Sequence, residues 1–194
     1  MTTSLDFQSR LQAFVLQRAQ TCLGTLQYRQ AGAPLAQTTH VLLHGIGSGS
    51  GSWLMQLEEA VRQTHRVGVL AWEAPGYGAS SPVHPWSPLA SDYARHMWCW
   101  LDALGVTHPI TLVGHSLGAL IAANAAVAQR HRVARLILLA PAQGYGQSKA
   151  SVREQKLKDR LHALRTLGPQ GMASQRSAAM LSAWPSQPSG LNGW

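Results

Sequence analysis

Acidic residues are scarce in this chain. Eight Asp and Glu stand against sixteen Lys and Arg in 194 residues, a formal net charge of +8. The imbalance does not read as a nucleic-acid footprint. Basic residues are scattered, no basic run alternates with aromatics, and the densest group, Lys149 to Arg176, is interrupted by Glu154 and Asp159. Cysteine is nearly absent as well. Cys22 and Cys99 lie far apart and form neither a Cys-x-x-Cys nor a His-rich metal pattern, so a reduced compartment and no bound metal are expected. No uncharged apolar run approaches the roughly 20 residues of a membrane span. The N-terminus lacks a basic start followed by an apolar core. A cytoplasmic protein with neither a membrane nor a nucleic-acid partner is therefore the expectation. Charged residues make up only 12% of the chain and hydrophobic ones 45%, which implies one globular domain with a sizeable core.

What is present is an alternation of short apolar runs and longer amphipathic ones. Phe7, Leu11, Phe14 and Val15 recur at helical spacing and predict a helix over 6–19. Strands are predicted at 23–29, 40–43, 67–72, 110–113 and 134–140, where runs such as Val-Leu-Leu and Ile-Thr-Leu-Val are apolar without alternation. Helices are predicted at 53–63, 88–104 and 119–128, the second opened by Ser87-Pro88 and closed by Gly105. Ser151-Val-Arg-Glu154 reads as a capping box, with Leu157, Leu161 and Leu164 on one face and Gly168-Pro169 as a stop. Strand–helix alternation with unbroken apolar strands predicts an α/β fold, a doubly wound and mostly parallel sheet with helices on both faces. The expected units are a core over 1–148, a helical segment over 149–176 and an irregular, chargeless tail over 177–194.

The stretch that organises the chain is Ile110 to Ala128. A buried strand and an Ala-rich helix are joined by Gly114-His115-Ser116-Leu117-Gly118, with no room for a loop. So sharp a reversal forces Ser116 into a strained backbone and exposes its hydroxyl at the strand end. Two other glycine-bearing loops follow strands directly, His44-Gly45-Ile46-Gly-Ser-Gly-Ser-Gly and Glu73-Ala-Pro-Gly-Tyr77-Gly-Ala-Ser80. In a parallel sheet, ligands bind at the carboxyl ends of strands, so the three loops should cluster at one edge.

Together these motifs resemble those of the α/β-hydrolases, of the type that includes enol-lactone hydrolases, carboxylesterases and C–C bond hydrolases. The resemblance covers about residues 23 to 145, and it implies that 149–176 is a partial helical cap. It implies Ser116 as nucleophile and the backbone N–H groups of Ile46 and Leu117 as oxyanion donors. It also implies structural roles for Gly45, Gly114 and Gly118, and a carboxylic ester or lactone as substrate, with no cofactor. His44, Trp53, Tyr77 and His115 are candidate pocket residues. Glu73 stands where the family usually carries Asp; it is expected to fix that turn as the Asp does, the extra methylene only loosening it. A C–C bond hydrolase and a non-catalytic binding remnant are the alternative readings.

A serine needs a base, and in this family the order is Ser, acid, His. Beyond Ser116 the chain holds two acids, Glu154 and Asp159, and two histidines, His131 and His162. His131 falls at the wrong sheet edge. Asp159 and His162, three apart on one helix, are expected to pair with each other. The expectation is thus a truncated hydrolase, impaired in activity, whose last strand is an open sheet edge available for self-association.

Overall fold

A computed structural model describes residues 4–63, 66–84, 87–144 and 147–180. The chain forms two compact units, 1–142 and 143–194. The first holds α1 (Ser4–Gln12), β1 (Gln17–Thr21), β2 (Gly24–Gly32), β3 (Thr38–Leu43), α2 (Leu54–Arg62), β4 (Gly68–Trp72), α3 (Ala90–Ala103), β5 (Ile110–His115), α4 (Leu117–Ala128) and β6 (Val133–Leu139).

The sheet runs β1-β2-β4-β3-β5-β6. β3 is parallel to β4 on one side and to β5 on the other, and β6 continues parallel beside β5. β1 and β2 are antiparallel to each other, and β2 to β4. The doubly wound, mostly parallel sheet expected from the sequence is the one observed. After β3 the chain goes to one side, and after β4 it returns to the other. That reversal is a switch point, and it opens a crevice outside the carboxyl ends of β3 and β5.

Two apolar clusters explain the layering. On one face Val41, Leu43, Leu70, Trp72, Ile110 and Leu112 pack against Met97, Trp100 and Leu101 of α3 and Ile121, Ala122 and Ala125 of α4. On the other, Leu42, Val69, Ala71 and Val113 pack against Leu54, Leu57 and Ala60 of α2 and against Phe14. Strands buried on both sides need no alternation of polarity, which is why their sequences read as continuous apolar runs.

Several boundaries depart from the sequence reading. The first helix ends at Gln12 rather than continuing to 19, and residues 17–21 form β1 instead. The strand Gln-Arg-Ala-Gln-Thr buries only Ala19 and Thr21, so it carries almost no apolar signal. Leu89, not Ser87, caps α3, where the Asp92 carboxylate accepts the Leu89 N–H at 2.9 Å. The largest correction concerns the cysteines. The β1–β2 turn brings Cys22 against α3, where it is disulfide-bonded to Cys99 with Cα atoms 6.1 Å apart. A separation of 77 residues hid the pair from the sequence.

In the second unit, α5 (Ala150–Met180) is broken at Gly168, which sits at φ 63° and ψ 178°. Ser151 lies inside its first turn instead of capping it, and a helical segment follows the expected stop. Asp159 accepts a hydrogen bond from Gln155 at 2.8 Å, four residues away, in place of the expected pairing with His162. Residues 177–180 of the expected irregular tail are helical, and 181–194 lie outside the described residues. Among the described residues no helix is long and apolar enough to cross a membrane.

Candidate active site at the strand ends

Ser116 stands between β5 and α4 at φ 55° and ψ −114°, one of two non-glycine residues with positive φ among those described. Such a conformation costs about 1–3 kcal/mol and persists only where surrounding structure imposes it. Here the surroundings do. The Ser116 N–H donates to the Leu139 carbonyl at 3.0 Å, and its own carbonyl accepts from Ala119 and Ala142 at 3.1 and 3.2 Å. The flanking glycines are steric necessities. A Cβ on Gly114 would lie 2.2 Å from the Gly118 carbonyl oxygen, and one on Gly118 would lie 2.2 Å from that of Leu43. The helix start is thus pressed onto the end of β3, and any side chain would push α4 off the sheet.

The loop after β3 closes over the same point. A Cβ on Gly45 would come within 3.0 Å of the Ser116 Cβ and 3.1 Å of His115 Nδ1. Gly45 and Ser116 are therefore direct neighbours, and Ile46 follows at once. The backbone N–H groups of Ile46 and Leu117 meet no acceptor among the described residues. Ser116 is half-buried and its hydroxyl takes no partner among them.

His44 is buried and spoken for on both ring nitrogens. Nε2 accepts the Ala74 N–H at 3.0 Å, which assigns the proton to Nδ1, and Nδ1 donates to the Gly45 carbonyl at 2.9 Å. Burial holds its pKa below the ordinary imidazole value, against the opposing pull of the Gly45 carbonyl and of Glu73. The 3.9 Å approach of Nε2 to Glu73 Oε2 is consequently no ion pair, because the imidazole is neutral. His44 is framework, tying the β3 loop to the turn after β4. Tyr77 adds a second tie: its ring meets His44 edge-on at 4.8 Å, and its hydroxyl accepts the Gly47 N–H at 3.2 Å. Trp53 lies in the cluster beneath α2 and lines an apolar groove of about 380 Å³ with Leu42, Val69, Val113 and Leu139. His115 is half-buried against Gly45.

Glu73 corrects the expectation that its acid group fixes its own turn. Its carboxylate leaves that turn and crosses to the β3 loop, where Oε1 accepts from the Ser50 N–H at 3.0 Å and the Ser50 hydroxyl at 2.5 Å. The turn itself is fixed by others: Gln27 Oε1 accepts the Ala79 N–H at 2.6 Å, and Ser80 Oγ donates to the Glu73 carbonyl at 2.9 Å. Neither Ser50 nor Gln27 stands out in the sequence. One is a serine in a Gly-Ser repeat, and the other is a polar residue in a strand.

His131 lies in a short turn before β6, at the amino end of the strands and away from Ser116. Among the described residues no group of three His, Cys, Asp or Glu could hold a metal ion.

The model of the Alpha/beta hydrolase family matches residues 41–193. The human (lyso)-N-acylphosphatidylethanolamine lipase is 32% identical over 110 residues, covering 54% of this chain and 30% of that protein. A 2-hydroxy-6-oxononadienedioate/2-hydroxy-6-oxononatrienedioate hydrolase of Dechloromonas aromatica is 31% identical over 117 residues, covering 59% and 39%. The chain thus spans about a third of the length of these curated relatives. Among solved structures, a bacterial membrane phospholipase A superposes with a TM-score of 0.63 at 27% identity, over 80% of this chain and 49% of that one. An esterase from Thermogutta terrifontis superposes at 0.64, with 23% identity, over 83% and 57%. The strand order, the strained serine between two obligatory glycines and the matched residues lead to one conclusion: the chain belongs to the α/β-hydrolase family.

Proposed function

We propose that this chain carries the nucleophile half of a serine hydrolase acting on carboxylic esters or lactones. Ser116 supplies the attacking oxygen, and the N–H groups of Ile46 and Leu117 receive the negative charge that develops on the substrate oxygen. The observation that carries the reading is the abutment of Gly45 on Ser116. It sets the residue before Ile46 against the strained serine, Leu117 follows that serine directly, and neither N–H has an acceptor among the described residues. Donors held in this way need no reorganisation during reaction, and each is worth on the order of 3 kcal/mol in the transition state. The lipase and esterase names of the relatives support an ester or lactone substrate. The Dechloromonas relative supports C–C bond hydrolysis as a second reading, since the same serine and donors serve both reactions.

Among the described residues of the first unit, no imidazole reaches the Ser116 hydroxyl. Without a base, turnover falls by about a millionfold in a comparable serine hydrolase. The test is therefore a slow covalent one. The chain is incubated for hours with excess fluorophosphonate and the adduct located by peptide mass spectrometry. Modification should concentrate on Ser116 and vanish in Ser116→Ala. Adducts spread evenly over the surface serines would refute the assignment.

A further inference from the structure

The loop that carries Ile46 is Gly-Ser rich, and such a sequence does not hold a single conformation by itself. Each of its residues gives up roughly 1–2 kcal/mol of backbone entropy on being fixed. Something outside the loop must hold it against Ser116, and the buried polar contacts show what does.

We propose that Glu73, acting through Ser50 and Arg29, is the positioning residue that keeps the Ile46 amide beside Ser116. The inference rests on the reading of that amide as an oxyanion donor. Glu73 is anchored at both ends of its backbone unit. Its N–H donates to the Gln27 carbonyl at 2.8 Å, and its carbonyl accepts from Ser80 Oγ at 2.9 Å. From this fixed base at the end of β4 the carboxylate takes both donors of Ser50 on one oxygen. Its other oxygen lies where a Cβ on Gly49 would be only 3.0 Å away, so the backbone at Gly49 is drawn up against it.

Ser50 completes a relay. While its hydroxyl donates to Glu73, it accepts from Arg29 Nε at 3.1 Å. Arg29 in turn donates to the carbonyls of Leu11 and Phe14. A guanidinium, a hydroxyl and a carboxylate therefore stand in line in the interior, and each charge supports the polarity of the next bond. Burial works against the charge on Arg29, and the Glu73 carboxylate works for it. Ser50 also opens the helical turn 50–53 that leads into α2, so the carboxylate meets the free N–H end of that turn, where negative charge is favoured.

Length matters in this arrangement. An aspartate anchored on the same backbone would carry its carboxylate roughly 1.5 Å short of Ser50. Glutamate is thus the side chain that spans from the β4 end to the β3 loop, and the conservative acid should fail to replace it.

Hydrogen–deuterium exchange on the full chain tests the relay, with Ser116 labelling by fluorophosphonate as the catalytic readout. Glu73→Ala and Ser50→Ala should each speed exchange of the 45–51 amides by about tenfold, the effect of one charge-assisted bond, and leave β3 and β5 unchanged. The double variant should add nothing further. Glu73→Gln, which keeps one acceptor, should fall between, and Glu73→Asp should resemble Glu73→Ala. Labelling should slow in the same order. Unchanged loop exchange, or loop and core exchanging faster together, would overturn the proposal, as would an open loop with undiminished labelling. If Ser116 is labelled in no variant while loop exchange still tracks Glu73, the hydrolase reading fails and the hold on the loop stands.

Discussion

The two edges of the sheet are built on opposite principles. β1 is five residues long, polar, and exposed on most of its length, and the Cys22–Cys99 bond beside it ties its turn to α3. β6 is seven residues long and apolar on both faces. Leu136, Ile137, Leu138 and Leu139 are 37–42% exposed, and no strand among those described pairs with its outer side. A short, polar, stapled edge resists pairing with other chains, whereas a long apolar one invites it. β6 is more apolar than β5 beside it, yet in β5 Leu112 is wholly buried. An apolar run therefore makes a strand in both places, and what covers it decides whether it becomes core.

The comparison can be broken most forcefully at the closed edge. Replacing Cys22 and Cys99 by serine removes a cross-link across 77 residues, and unfolding free energy should drop by about 4 kcal/mol in denaturant titrations. A change below ~1 kcal/mol would show that the β1 edge holds without its staple. Next is a matched pair in register. Leu112 and Leu136 face each other across β5 and β6. Leu112→Ala should destabilise by about 3 kcal/mol, and Leu136→Ala by less than about 1 kcal/mol, because only the first leaves a cavity. Equal losses would mean that β6 is covered in solution. Leu138→Lys sharpens the same point from outside. Light scattering by the concentrated chain should fall, with unfolding free energy within ~1 kcal/mol of the parent.

The last test is pH. Burial holds His40, His44 and His96 below the ordinary imidazole value. Their protonated forms are disfavoured in the folded chain, so on acidification the unfolded chain binds the protons first. Stability is then fully present above about pH 6.5 and declines as pH falls below it, by at most about 1.4 kcal/mol per pH unit for His44. Urea titrations at pH 7.5 and 5.5 should show the loss, and His44→Gln should reduce it.

The strand ends were legible because their chemistry is local. Gly114, Ser116 and Gly118 are five consecutive positions' worth of geometry, and a reversal so tight admits few residue types. Gly45 and Tyr77 were legible as loop residues following buried strands. The relay from Arg29 through Ser50 to Glu73 was not, because its members are separated by 21 and 23 residues and none is unusual for its own segment. Glu73 stands out as an acid in a glycine-bearing turn, but its reach does not, since sequence gives the length of a side chain and not what stands opposite. β1 escaped for the reverse reason: its hydrogen bonds come from pairing with β2, and its own residues hardly signal a strand.

By itself the sequence determined the elements with apolar periodicity, their parallel arrangement and the sharp turn at Ser116. All of these follow from residues close together along the chain. Tertiary structure alone decided that Gly45 meets Ser116, that Cys22 meets Cys99, and that Glu73 grips Ser50. Each of these contacts joins segments whose separation is set by strand order and register, which no local pattern encodes.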